Sequence, residues 1–181
     1  MEVRCGAERV GVKFCAVDAI DSVVMNSKLH YLGMADRTAE PVLKLAVLTC
    51  MDARVDVSAL LGLRLGDAHV IRNAGGRATD DALRSLAISQ AVLGTREIMV
   101  IHHTDCALGR LTQAQIAERI KGATGEVVRE DLGSFSDPIQ SIVQDVERLR
   151  NASRLAHRDK IRGFMYDLLE STLQEVAVQS R

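Results

Sequence analysis

Two kinds of apolar pattern alternate along this chain, and together they predict an α/β fold. Short runs that are almost wholly apolar are typical of strands buried in a parallel sheet. Apolar residues spaced three or four apart are typical of one helix face. The predicted strands are residues 43–49, 68–73, 97–102 and 160–167, and the predicted helices are residues 57–63, the stretch from Thr79 to Gly94, residues 111–121 before Gly122, and the stretch from Pro138 to Leu149. We therefore expect a mainly parallel central β-sheet flanked by helices.

The first part of the chain has a weaker pattern. Residues 1–16 have little periodicity and contain Gly6 and Gly11, so we interpret them as an N-terminal arm or extension. From residue 17 to 34 the apolar positions fit a helix that ends near Gly33. We predict that residues 17–181 form a single catalytic α/β domain, a size at which one chain buries a sizeable core.

Composition and charge limit the classes of protein to which this chain can belong. The 181 residues are 47% hydrophobic and 26% charged, with a net charge of -1, which is typical of a soluble globular protein. Without a basic field or a long apolar run we expect neither a nucleic-acid nor a membrane partner. The N-terminus lacks the apolar run of a secretory signal, so we expect a cytoplasmic protein. Its four cysteines, Cys5, Cys15, Cys50 and Cys106, are then thiols or metal ligands rather than disulfides.

Candidate metal ligands follow two of the predicted strands. Cys50 follows strand 43–49, and His103 and Cys106 follow strand 97–102. The carboxyl ends of parallel strands meet at one edge of a sheet, so these side chains can converge. Either cysteine alone could be a buried thiol, but two cysteines and one histidine favour tetrahedral zinc with one position left for water. Side chains alternate along a strand, so only His102 or His103 can face the site, and the spacing to Cys106 favours His103.

Charged residues and glycines flank these ligands. Asp52 and Arg54 are either an ordinary ion pair or a carboxylate held by a guanidinium beside the metal. Asp105 is either a turn residue or a hydrogen-bond acceptor behind the metal ligands, and we favour the turn. The loop Ala74-Gly75-Gly76 permits close backbone approach or positive φ. We interpret Cys5 and Cys15 as ordinary thiols and His30, His69 and His157 as structural or surface residues.

Three motifs in this order resemble the β-class carbonic anhydrases: Cys-x-Asp-x-Arg at 50–54, Arg-Asn-Ala-Gly-Gly at 72–76, and His-x-x-Cys at 103–106. The resemblance implies one Zn²⁺ per chain on Cys50, His103 and Cys106, with Asp52 and Arg54 as the catalytic dyad. It also implies a homodimer or higher oligomer with the active site near the subunit interface. In some members the aspartate moves onto zinc, which would make Asp52 a fourth ligand in a closed state. One departure is Ala107, where the family usually has glycine.

The function that the resemblance implies is reversible hydration of CO₂ to bicarbonate and a proton by zinc-bound hydroxide. We expect the backbone of Ala74, Gly75 and Gly76 to line the substrate route. Two alternatives stay open at this point: a carbonyl sulfide or carbon disulfide hydrolase on the same scaffold, and a catalytically silent zinc site closed by Asp52. A phosphate site in the glycine loop is disfavoured, because the loop lacks the established phosphate-binding patterns.

Overall fold

The computed structural model describes residues 19–27 and 38–179. Internal contacts divide the chain into two units, residues 1–37 and residues 38–181. In the first unit, helix α1 spans Ala19–Ser27, within the predicted helix of residues 17–34. The predicted helix end at Gly33, together with Cys5, Cys15 and His30, lies outside the described residues. The predicted boundary between residues 16 and 17 stays a prediction.

The second unit is built on a five-stranded sheet with strand order β2-β1-β3-β4-β5. The strands are β1 Leu45–Cys50, β2 Ala68–Asn73, β3 Glu97–His103, β4 Ile161–Asp167 and β5 Thr172–Val176. The first four pair in parallel and β5 pairs antiparallel with β4. The prediction of a mainly parallel α/β sheet is therefore confirmed. Strand β5 was missed, because its residues are mostly exposed and it is held by pairing with β4 rather than by an apolar run.

Most predicted helices are present, with shifted ends. The second unit contains α2 Val57–Leu61, a 3₁₀ turn Ala74–Gly76, α3 Asp80–Ala91, α4 Ala107–Arg110, α5 Gln113–Thr124 and α6 Pro138–Arg150. Thr79 caps α3 and Asp137 caps α6 through their side-chain oxygens.

Two predicted boundaries were wrong for local reasons. Helix α5 runs through Gly122 and ends at Thr124. The next residue, Gly125, has a positive φ of 82° and supplies the left-handed cap that a helix end favours. Strand β1 begins at Leu45 rather than at residue 43, because the N–H of Lys44 donates to the Pro41 carbonyl in a turn.

The sheet separates two apolar clusters, since alternate side chains of each strand point to opposite faces. One face packs against α3 and α6, and its cluster includes Leu48, Val100 and Ile161. The other face has a smaller cluster that includes Val47 and Ile101. His102 and His103 end β3 and therefore point to opposite faces. This alternation gives the two histidines different environments.

Candidate metal centre

Three sulfur and nitrogen donors converge where β1 and β3 end side by side. Cys50 is the last residue of β1, His103 is the last of β3, and Cys106 precedes α4. One donor atom from each residue lies within 4.8 Å of the other two, and all three residues are buried. The two sulfurs are 4.0 Å apart. A tetrahedral zinc ion with bonds of about 2.3 Å to sulfur requires about 3.8 Å, so the donor set fits zinc.

The imidazole of His103 is oriented for metal binding. Its Nδ1 lies 2.8 Å from the carbonyl oxygen of Thr104, a partner to which a ring nitrogen can only donate. In the neutral imidazole the lone pair is then on Nε2, which within the described residues is buried without a hydrogen-bond partner. A ligand histidine commonly fixes its tautomer in this way, by donating its other N–H to a carbonyl.

The contact between the two thiols shifts their pKa values in opposite directions. The sulfur–sulfur contact with Cys106 lowers the pKa of Cys50. The backbone N–H of Asp52, 3.4 Å from the Cys50 sulfur, acts in the same direction. The neighbouring Cys50 raises the pKa of Cys106, because a second thiolate beside the first is unfavourable. A bound cation removes that conflict, since both sulfurs can then be thiolates.

Asp52 and Arg54 form a bidentate ion pair beside the donors. Nε and Nη2 of Arg54 donate to Oδ1 and Oδ2 of Asp52 at 3.0 and 2.8 Å. The Arg54 backbone N–H adds a bond of 2.9 Å to Oδ1. The side chain of Asp52 is only 18% exposed, and the Arg54 guanidinium holds the pKa of its carboxyl far below its usual range. Oδ2 of Asp52 is 3.8 Å from Nε2 of His103, so an ionised carboxylate lies at the edge of the metal position.

The backbone around Cys50 is fixed from β2. Arg72 donates through Nε to the carbonyl of Cys50 at 2.9 Å and through Nη2 to that of Asp52 at 2.6 Å. Sequence reasoning quoted Arg72 only as part of a motif, and its role was missed. The parallel pairing of Cys50 with Asn73 was the one signal that could have placed it next to the ligand.

The glycine loop packs directly behind the first ligand. Gly76 has a φ of 68°, and a Cβ at this position would lie 2.9 Å from the backbone nitrogen of Cys50. Gly75 is also buried, against Leu108. The prediction of close approach and positive φ is thus confirmed, whereas the substrate-lining role of Ala74, Gly75 and Gly76 stays a prediction.

Asp105 is more than the turn residue that we favoured. Its φ of 56° is the left-handed conformation expected of a turn. Its carboxylate also accepts from Nη1 of Arg54 at 2.8 Å and lies 3.3 Å from Nη1 of Arg110. Arg54 and then Arg110 lower the pKa of the Asp105 carboxyl. Ala107, the departure from the family pattern, is the exposed first residue of α4 and needs no positive φ.

A second buried cluster lies on the opposite face of β3. Nε2 of His102 is 3.2 Å from Oδ2 of Asp145 on α6, and the His102 ring stacks on Phe135 with 5.7 Å between centroids. The same carboxylate oxygen accepts from Nε of Arg77 at 2.7 Å, and Nη1 of Arg77 donates to the Gly133 carbonyl at 2.9 Å. We call His102, Asp145 and Arg77 the ion-pair cluster. His102 is therefore a packed imidazole, as the alternation of side chains suggested.

The remaining described histidines lie outside the donor cluster. His69 bridges Ser89 at 2.7 Å and the carbonyl of Ala39 at 2.9 Å, and the backbone of His157 bonds to Gln90. Within residues 19–27 and 38–179, every helix is too short or too polar to cross a bilayer.

The fold and the site together define a class of protein: an α/β domain with two cysteines and one histidine at the carboxyl edge of a parallel sheet. A model of the carbonic anhydrase family matches residues 45–180. The chain therefore belongs to the β-class carbonic anhydrases, which are zinc enzymes.

Individual relatives agree with this assignment. The chain is 41% identical over 136 residues to beta-carbonic anhydrase 1 of Mycobacterium bovis, covering 75% of this chain and 83% of the relative. The carbonic anhydrase structure from Streptococcus mutans superposes with a TM-score of 0.83 at 38% identity, over 90% of this chain and 99% of that one. A carbon disulfide hydrolase of Acidianus sp. is 36% identical over 150 residues, covering 69% and 73% of the two chains.

Proposed function

We propose that this chain is a zinc-dependent carbonic anhydrase that interconverts CO₂ with bicarbonate and a proton. The observation that supports it best is the convergence of Cys50, His103 and Cys106 beside an ionised Asp52. Three protein donors leave the fourth tetrahedral position for water, whereas structural zinc sites usually have four protein ligands.

The residues of the site have distinct roles in this proposal. Cys50, His103 and Cys106 would hold the zinc ion, which when bound would act as a Lewis acid and make water a nucleophile near neutral pH. Asp52 accepts a hydrogen bond from the attacking water and aims its lone pair at the carbon of CO₂. Arg54 keeps Asp52 ionised and in place through its two parallel hydrogen bonds. The proton that the reaction releases passes to solvent buffer.

Asp52 is proposed to stay off the metal at rest. Both carboxylate oxygens accept from Arg54, and leaving that partner would cost charge-assisted hydrogen bonds. With Asp52 in this position, activity should fall with decreasing pH no more steeply than a single ionisation requires. A steeper, cooperative loss in stopped-flow assays at mildly acidic pH would indicate instead that Asp52 closes the site.

A second candidate is hydrolysis of carbonyl sulfide or carbon disulfide. The specific observation in its favour is the 36% identity to the Acidianus carbon disulfide hydrolase over most of both chains. Both substrates are linear like CO₂, so the same donors and the same dyad would serve. A silent site closed by Asp52 is less well supported, because that carboxylate is bound to Arg54.

The test is a parallel assay of zinc-quantified protein for CO₂ hydration by stopped flow and for sulfide release from carbonyl sulfide and carbon disulfide. We expect hydration to dominate, and Cys106→Ser to abolish both. Sulfide release without hydration would favour the second candidate, and zinc without either activity would favour the silent site.

We further propose a homodimer or a larger homo-oligomer in a reducing, cytoplasmic compartment. Apolar Met51, next to Cys50, and Val70, on the edge strand β2, are exposed, which supports a covering subunit. Ligand cysteines function as thiolates, which a reducing compartment preserves. Sedimentation at micromolar concentration and cell fractionation test these two proposals, and a monomer with full activity would contradict the first.

A further inference from the structure

Arg54 binds a second carboxylate, that of Asp105, which is not part of the proposed dyad. One edge of its guanidinium, Nε and Nη2, is bidentate on Asp52. At the far end, Nη1 donates to Oδ2 of Asp105 at 2.8 Å, and Nη2 donates to the backbone carbonyl of Asp105 at 3.2 Å. A guanidinium has five N–H donors. Four hydrogen bonds therefore fix its plane, two on each aspartate.

Asp105 is itself held in a way that suits this task. Its other carboxylate oxygen lies 3.3 Å from Nη1 of Arg110, one turn into the following helix. Its φ of 56° is uncommon for a residue other than glycine, asparagine or aspartate. That backbone conformation lets the side chain and the carbonyl of one residue reach the same guanidinium. A turn alone would need neither contact.

We propose that Asp105 is a positioning residue, which holds the far edge of the Arg54 guanidinium so that its near edge keeps Asp52 oriented. Among the described residues, the Asp105 carboxylate pairs with Arg54 and Arg110, so we assign it an action on Asp52 through Arg54. The inference rests on the proposed catalytic role of Asp52 and Arg54. An isolated pair as exposed as this one, with half of each side chain accessible, would stabilise little. Because Asp105 accepts from Arg54 through both its carboxylate and its backbone carbonyl, the contact orients the guanidinium instead.

The first experiment measures kcat and KM for two variants whose backbones suit a left-handed φ. Asp105→Gly removes the carboxylate, and Asp105→Asn keeps an oxygen acceptor without the charge. We expect kcat to fall about tenfold for the glycine variant, as for other partners behind a site residue, with KM unchanged within about twofold. The asparagine variant should lose about threefold in kcat, because a neutral acceptor is roughly half as strong.

Matched controls are Ser171→Gly, another exposed left-handed position, and Asp81→Asn, another exposed carboxylate on an arginine. Both should keep full activity.

The second experiment tests whether the effect passes through Arg54. In an Arg54→Lys background, Asp105→Gly should cause no further loss of kcat, since the group it holds is gone. A full loss in that background, or an unchanged kcat in the single variant, would overturn the proposal.

The third readout does not depend on the reaction. The ¹⁵N–¹H signal of Arg54 Nε is identified by its absence from Arg54→Lys. In the zinc-loaded protein it should be protected from exchange, and Asp105→Gly should shift or broaden it while Ser171→Gly leaves it in place. An Arg54 signal that is identical in Asp105→Gly would overturn the positioning role. If the wild-type protein hydrated no CO₂, the proposed function would fail, and this signal alone would still decide the role of Asp105.

Discussion

The two consecutive histidines at the end of β3 lie in clusters that differ in their charged groups. His103 shares its cluster with the sulfurs of Cys50 and Cys106, and these three residues include no permanently charged cation. His102, on the other face, shares its cluster with Asp145 and with Arg77, whose guanidinium neutralises the carboxylate at 2.7 Å. Both histidines are almost completely buried.

The difference shows what distinguishes a metal site from a structural cluster. A buried donor set without an internal cation must either retain protons or bind a metal ion. A buried carboxylate that already has a guanidinium partner is complete. This difference supports our proposal that zinc binds on the face of His103, although the two residues are the same amino acid and adjacent in the chain.

The largest expected effect separates the two histidines directly. His103→Gln should lose bound zinc and reduce hydration to the level of the metal-free protein, because a ligand nitrogen is missing. His102→Gln should keep about one zinc per chain, since its ring contacts Asp145 and Phe135 on the face of the sheet opposite to His103. Metal analysis after dialysis, combined with stopped flow, measures both. If His102→Gln lost zinc and His103→Gln kept it, His102 rather than His103 would be the ligand.

Asp52→Asn should retain zinc and lower kcat by on the order of 100-fold. The amide cannot offer two anionic oxygens to Arg54 or accept from water as strongly as an ionised carboxylate. Zinc content and kcat are measured on the same preparation. Full turnover in this variant would remove Asp52 from the mechanism.

Asp145→Ala should destabilise the protein without affecting the metal. Removal of one partner leaves Arg77 charged in a site where only 16% of its side chain is exposed, at a cost of about 3 kcal/mol in the free energy of unfolding. Zinc content should remain at about one per chain. The matched control is Glu175→Gln, which breaks an exposed pair with Arg162 and should leave the unfolding midpoint unchanged. Equal midpoints for Asp145→Ala and wild type would contradict a structural role for the ion-pair cluster.

Gly76→Ala tests the face of His103, because the new methyl group would displace the backbone next to Cys50. Gly76 and Gly62 both have positive φ, at 68° and 64°, so alanine is strained at either position. Only at Gly76 would the new Cβ approach the backbone of Thr49 and Cys50, at 2.9 Å. We expect Gly76→Ala to cost about 2 kcal/mol more than Gly62→Ala in urea unfolding, and to weaken zinc binding. Equal costs would mean that the loop can move freely.

The fold and the three convergent donors were predictable because both depend on local pattern. Apolar runs gave four strands, and parallel strands bring their carboxyl ends, and with them Cys50, His103 and Cys106, to one edge. The alternation of side chains placed His102 on the other face. Strand β5 was not predictable in this way, because pairing with β4 rather than burial holds it in place.

The residues that support the site were harder to find. Arg77 and Asp145 are 68 positions apart, and no spacing rule links them. Asp105 had an ordinary turn interpretation, and only the position of Arg54 across the sheet edge reveals its second contact. Contacts of this kind depend on tertiary packing, which a single sequence does not encode in any local pattern.

The most direct test of the central claim is a titration of zinc into metal-free protein, with CO₂ hydration followed by stopped flow at each addition. If Cys50, His103 and Cys106 form the catalytic metal centre, the rate should rise in proportion to zinc and reach its plateau at about one ion per chain. His103→Gln should show no rise at the same zinc concentrations. Hydration that is independent of zinc, or a fully loaded protein without hydration, would contradict the account.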